Sequence, residues 1–356
     1  MFKAVNEKMP KKEKKKSWKE RQRERQIKQQ RIQEAHQVQS ARESKRKPRQ
    51  WPKGKILLVV CLLIIIFGAY VAWQYTSNST SSDGTVPVTP TPGVIYIWPD
   101  GNVSPSTAPI SNIGNSRYTL TADIYDPLII GRDNIVIDGA NHALQGTEEY
   151  GSRGIDLTGR NNVTITNLKI KDFEYGIYLS SASNNVISQN DLTSNYCGIW
   201  IALSSNDNII SGNNIENNEM YAMWLKDSSN NKISENEIIS HTNYTIYIRA
   251  SNYTTFSANN IKDNNMGFFF YYASDNIVYH NNFINNRRSP QCSSTASTNV
   301  WDNGKEGNYW SDYQELYPDA KEIDGSGIWN TPYVIPDIIE EDNYDNYPLI
   351  NLWLLD

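Results

Sequence analysis

Five aromatic residues recur at nearly even steps in this 356-residue chain: Tyr178, Trp200, Trp224, Tyr247 and Phe269. Flat, amphipathic rings at a regular spacing can stack on the C–H faces of successive sugar rings. Two cations follow, Lys226 and Arg249, each two residues after one of these rings. Both are of types that meet carboxylates or sulfates. Catalysis would demand more. Glycoside hydrolysis takes two carboxyl groups facing one bond, and elimination takes calcium-binding acids with a base. Asp227 beside Lys226 is the nearest such cluster. The other acid in register with the rings is Asp156, some three strands away, or about 14 Å at ~4.8 Å per strand. That is too far for either glycosidase geometry. Glu174, Glu219 and Glu235 read as solvated turn residues.

The elements that would position these side chains are announced by a repeat. The phrase ISENEI at 233–238 returns as ISQNDL, ISGNNI, FSANNI and VYHNNF. One Asn column results, Asn190, Asn213, Asn236, Asn259 and Asn281, at steps of 23, 23, 23 and 22 residues. Two apolar columns accompany it: Ile187, Ile210, Ile233, Phe256, Val278, and Leu192, Ile215, Ile238, Ile261, Phe283. Between the copies lie GIYL, GIWI, AMWL, TIYI and GFFF, strand-like alternations that carry the five rings. A unit this short cannot close a core alone and must stack on its neighbours. The expected fold is therefore an all-β parallel β-helix, with the Asn column inside and bonding from coil to coil at a tight turn. That column belongs to the fold and not to chemistry. By alternation, Ile177 and Leu179 point in and Tyr178 points out. The same register sends Trp200, Trp224, Tyr247 and Phe269 outward. The domains expected are a cap with first strands at 94–131, the repeats at 132–290, and an irregular Trp/Tyr-rich C-terminal cap at 291–356.

The N-terminal quarter is a different material. Residues 1–55 hold 20 of the 34 Lys and Arg and 6 of the 39 acids, leaving 14 basic and 33 acidic residues to the rest. Residues 56–73, ILLVVCLLIIIFGAYVAW, are eighteen positions without a charge, long enough for roughly 27 Å of helix against a ~30 Å bilayer core. Lys53 and Lys55 precede this stretch and Trp51 and Trp73 flank it. One transmembrane helix is expected, with 1–55 as a cytoplasmic tail and the β-domain outside the cell membrane. A cleaved signal peptide is the rival, but its charged region would not run to 55 residues. The tail has no apolar face and suits anionic headgroups; no nucleic-acid partner is expected. Residues 74–93 form a Ser/Thr/Pro stalk, and sequons at Asn78, Asn102, Asn162, Asn243 and Asn252 all fall on the outer side. The three cysteines, Cys61, Cys197 and Cys292, imply no disulfide framework.

The motifs SPSTAPI…YTLTADI, DNIVIDGANHALQG, the GIYL…SSNN coils and the tail NVWDNGKEGNYWSDY…DGSGIWNTPYVI…DNYPLI resemble the NosD-like, carbohydrate-binding and sugar-hydrolase (CASH) family. The resemblance covers roughly residues 94–350 and is closest to its membrane-anchored surface proteins of archaea. It implies a right-handed, pectate-lyase-like solenoid, an extracytoplasmic location and no established activity. The family tail often offers an Asp/Gly-rich loop suited to calcium. Here it reads DGSGIWNTPY, with Ser326, Asn330 and Trp329 at positions where Asp or a small residue is expected, leaving Asp324 as the candidate. The family name also implies copper, but His36, His142, His241 and His280 show no ligand-like spacing. No cofactor is expected. Three functions follow: a module binding polysaccharide along the aromatic stripe, a polysaccharide lyase, hydrolase or epimerase, or an adhesive surface protein. The rings could equally support the sheet itself, meet a protein partner, or lie under the C-terminal segment.

Overall fold

A computed structural model describes residues 93–354. The expected tail 1–55, membrane segment 56–73 and nearly all of the stalk lie outside the described residues. Within them the chain winds into an all-β, right-handed parallel solenoid of about eight turns, as the repeat predicts. Three parallel sheets run along it. One coil shows the pattern. A six-residue strand, Tyr175–Ser180, leads to Val186–Ser188 and then to Asp191–Thr193, and each strand pairs with its equivalent one coil later. The sheet built from the long strands is called here the aromatic sheet, and the other two the second and third. Parallel pairing reaches from Ile95–Ile97 to Tyr309–Trp310, beyond the repeated phrase on both sides.

The interior is like upon like. Ile187, Ile210, Ile233, Phe256 and Val278 form one buried stack, and Leu192, Ile215, Ile238, Ile261 and Phe283 another. Each full burial of such a side chain contributes about 1.5–3 kcal/mol, so the period itself drives the fold. The corner between the second and third sheets needs a left-handed residue just before the ladder Asn. Gly212 (φ 64°) and Ala258 (φ 57°) both serve there.

Asn190, Asn213, Asn236, Asn259 and Asn281 are buried. In each, the backbone N–H and Nδ2 both donate to Oδ1 of the next Asn at 2.8–3.1 Å. The ladder continues through Asn308 to Asp345. Two more ladders mark the other corners. One passes Asn195, Asn218, His241, Asn264 and Asn286. The other runs Asn185, Asn208, Asn231 and, after Thr254, resumes at Asn276, Asn299 and Asn343. Thr254 cannot pass the bond on, and its Oγ1 has no partner.

The C-terminal segment closes the stack. Phe283, Trp310 and Tyr333 lie ring on ring at 4.2 and 3.9 Å, so the core column simply continues into the cap. Asp345 takes the end of the first ladder: its carboxylate accepts from Asn308 N and Nδ2, Trp310 Nε1 and Tyr347 N. Burial pushes this carboxyl up, to about 7, against four donors that favour the ionised form. Asp312 ends the second ladder by accepting from Gln291 Nε2, whose Oε1 accepts from Asn286. The described helix Tyr313–Leu316 is a single turn within this cap. Cys197 and Cys292 are buried free thiols.

Candidate functional site

Tyr178, Trp200, Trp224, Tyr247 and Phe269 stand in direct register on five adjacent strands. Each is half-buried on the outer face. Their centroids follow at 6.3, 4.2, 5.5 and 5.7 Å. Trp200 and Trp224 meet edge to face at 64°, and neither indole N–H finds an acceptor in the protein. Arg153, paired with Asp156 at 2.7 Å, lies 3.7 Å over the Tyr178 ring and closes the stripe at its N-terminal end.

A second file of rings widens the stripe. Tyr175, Tyr221 and Tyr244 open the same strands and lie 5.0, 5.0 and 5.1 Å from Trp200, Trp224 and Phe269. Strict alternation turns Tyr175 inward, since it shares parity with Ile177 and Leu179. The strand instead buries Gly176 and Ile177 in succession, which returns Tyr175 to the surface. A Cβ on Gly176 would sit 2.6 Å from the Gly198 carbonyl, so the backbone passes too close there for a larger side chain. A Tyr recurring three places before three of the rings was the available signal.

On the margin where the long strands begin, a groove of about 650 Å³ opens beside Trp200 and Trp224. It is lined by Tyr150, Tyr175 and Tyr196 and by Glu148, Glu174 and Glu219. Glu219 is exposed in a bend, as the reading of it as a solvated turn residue expects, whereas Glu174 departs from that reading. Glu174 is half-buried and accepts from the Gly151 N–H, while Glu219 reaches the same groove from two coils further on. Burial first, then the Glu174 carboxylate, pushes the Tyr175 hydroxyl up. Burial, then Glu219 and Glu174, does the same to Tyr196. Burial and neighbouring tyrosines hold Tyr221 near 12.

Lys226 and Arg249 share a register position at the opposite margin. Lys226 is half-buried and Arg249 exposed, its guanidinium 5.9 Å from the Tyr271 ring. Among the described residues neither forms an ion pair. Asp227 sits exposed in the following turn at φ 51°.

The C-terminal segment lies elsewhere. Trp353 N donates to Asn282 Oδ1 at 2.7 Å, and Asn282 Nδ2 donates to Trp353 O at 2.9 Å. The Trp353 ring stacks on His280 at 3.4 Å. Leu352, Trp353 and Leu354 thus rest on the third sheet against Glu237, Asn260 and Lys262, and none of them lines the groove at Trp200 and Trp224.

Fold and surface together define a parallel β-solenoid that presents one aromatic sheet to solvent. The family described as "Periplasmic copper-binding protein (NosD)" matches residues 116–315. The chain belongs to that family. No curated protein matches it. Among solved structures it is similar to the periplasmic alginate epimerase AlgG, at 17% identity and TM-score 0.36 over 49% of this chain and 47% of that one. It is also similar to an alginate lyase from Paenibacillus sp. str. FPU-7, at 14% and 0.32 over 52% and 91%. Tailspike protein 2 of bacteriophage CBA120 gives 11% and 0.33 over 54% and 39%. The chain spans about half the length of the epimerase it matches. At these identities the likeness concerns the fold alone.

The donors in the described residues do not fit the copper of the family's name. His241 is sealed between Asn218 and Asn264, and burial pushes it down to about 4. His280 is engaged by Glu306 and covered by Trp353. Cys197 and Cys292 are buried on separate coils. Among the described residues no three His, Cys, Asp or Glu gather as metal ligands. At Asp324, the calcium candidate, the turn brings in Glu322, which accepts from Gly327 N, and no third acid.

Proposed function

We propose that this protein is a membrane-anchored, extracytoplasmic module that binds a polysaccharide laid across the strands of the aromatic sheet. One observation carries the reading: five register-matched rings, doubled by Tyr175, Tyr221 and Tyr244, on a face the C-terminal segment leaves free. Successive strands lie ~4.8 Å apart, close to the length of one sugar ring, so a glycan along the axis can stack ring after ring. A half-buried aromatic strip of this length with its outer face open is a surface on which a partner can rest. The topology proposed with it is a cytoplasmic tail at 1–55, an anchor at 56–73, a stalk at 74–93 and a cell-surface domain after it, the 132–290 coils bearing the binding face.

The test uses full-length protein in detergent and a panel of polysaccharides in pull-down. A Trp200→Ala/Trp224→Ala double variant that keeps its β circular dichroism is expected to lose at least tenfold in binding. Undiminished binding by that folded variant overturns the reading.

A second reading, that the site also processes the glycan, is favoured by Glu174 and Glu219 converging on one groove beside Tyr196. Paired carboxyl groups are what glycoside hydrolysis needs. New reducing ends from a polysaccharide panel, abolished by Glu174→Gln or Glu219→Gln, would establish it; none from any polymer would remove it.

A further inference from the structure

We propose that the groove beside Trp200 and Trp224 selects sugars bearing a free ammonium group, so that the glycan bound there is an amino-sugar polymer. This rests on the polysaccharide-binding reading and narrows it to a chemical class.

The charge of the lining is the first argument. Glu148, Glu174 and Glu219 line the groove, and among the described residues no Lys, Arg or His does. Arg153, on the adjacent strand, is paired with Asp156 and stacked on Tyr178. A uronic-acid chain would bring like charge to three carboxylates, Glu174 half-buried and Glu148 and Glu219 exposed, which is repulsive and grows stronger as water leaves. An ammonium meets the opposite field.

The walls supply the second argument. Tyr150, Tyr175, Tyr196, Trp200 and Trp224 surround the same space. Aromatic faces carry the negative end of the ring quadrupole and attract cations, more strongly when desolvated. Carboxylates and ring faces together accept what an R–NH3+ group offers, three N–H donors.

Position is the third. The cations of the sheet, Lys226 and Arg249, stand at the far ends of the strands. An ammonium therefore has one favourable margin, which orients the chain on the platform. The space, about 650 Å³, lies within the range of small-ligand sites.

The experiment compares three oligosaccharides of equal length with full-length protein in detergent: glucosamine, N-acetylglucosamine and galacturonate oligomers. Tryptophan fluorescence titration is run at mildly acidic pH and low salt. The glucosamine oligomer is expected to bind at least tenfold tighter than its acetylated counterpart, with the gap shrinking as salt rises. A Glu174→Gln/Glu219→Gln variant, checked for folding by circular dichroism, should bind the two alike. Gln keeps an acceptor for the Gly151 N–H, so loss of fold is not built into the change. Equal or tighter binding of the acetylated or uronate oligomer overturns the selectivity and leaves the platform standing. Silence from all three, together with no polysaccharide retained in pull-down, overturns both.

Discussion

The C-terminal cap and the aromatic sheet are built from the same residue types and put them to opposite uses. In the cap, Trp310 and Tyr333 are sealed, stacked in line with the core, and hydrogen-bonded through Trp310 Nε1 to Asp345 and Tyr333 OH to Asp312. On the sheet, Trp200 and Trp224 are half-exposed and their indole N–H groups have no protein acceptor. The cap rings Trp310 and Tyr333 end a column of buried side chains with their polar edges bonded, while Trp301 beside them leaves its Nε1 unpartnered, as the sheet indoles do. The sheet rings rest on one another with a face still open. Composition alone makes the two regions look equivalent. Burial separates a structural plug from a surface able to receive a ligand.

The contrast can be broken by measurement, and the largest effect belongs to the cap. Trp310→Ala should cost about 3–5 kcal/mol, because it empties the middle of the Phe283–Trp310–Tyr333 stack and takes one donor from the buried Asp345 carboxyl. Urea unfolding reads it, and a cost near that of a sheet ring would erase the distinction.

Next comes acid. His241 occupies a ladder position, flanked by Asn218 and Asn264, with its pKa held near 4 by burial against an ordinary 6.5. Between those values the unfolded chain binds the proton and the folded one does not, so stability present above pH 6.5 is lost as pH falls toward 4. The loss should approach roughly 3 kcal/mol. His241→Asn restores an all-amide ladder and should flatten most of that slope in thermal melts at stepped pH. An unchanged slope would move the acid sensitivity to another group.

Asn236→Ala comes third, at about 2 kcal/mol in urea. It takes the Nδ2 donor from Asn259 Oδ1, which keeps only the backbone N–H of residue 236, and leaves Asn213 N and Nδ2 without their acceptor.

Smallest in stability should be Trp224→Ala, about 1 kcal/mol for the lost ring pairs on an open face. It should nonetheless weaken polysaccharide binding about tenfold. A large stability loss with binding intact would make the sheet a second structural plug.

Much of the fold was legible before any coordinates. The 22–23-residue step, the buried Ile and Leu columns and the Asn190–Asn281 ladder are all visible as repetition, because stacking sets each residue on its own copy. The two other ladders were legible in principle. His241 and Thr254 interrupt their Asn spelling while keeping the position.

The site was less legible. Alternation turns Trp200 and Trp224 outward, as the strands place them, but strict alternation would bury Tyr175, and the successive burial of Gly176 and Ile177 brings it out. Glu174 reads as a solvent-facing turn residue but is half-buried, and Glu219 is exposed as it reads; that both line one groove depends on walls from other coils.

By itself, then, the amino-acid order determined the stacked coil, its step and the residues of its interior, for these follow from periodicity and apolar burial along one dimension. Only the tertiary structure decided that the C-terminal segment lies on the third sheet, that Tyr175 joins the outer rings and that three carboxylates face one cleft. Such features depend on where side chains from separate coils meet in space, and a one-dimensional repeat carries no record of that.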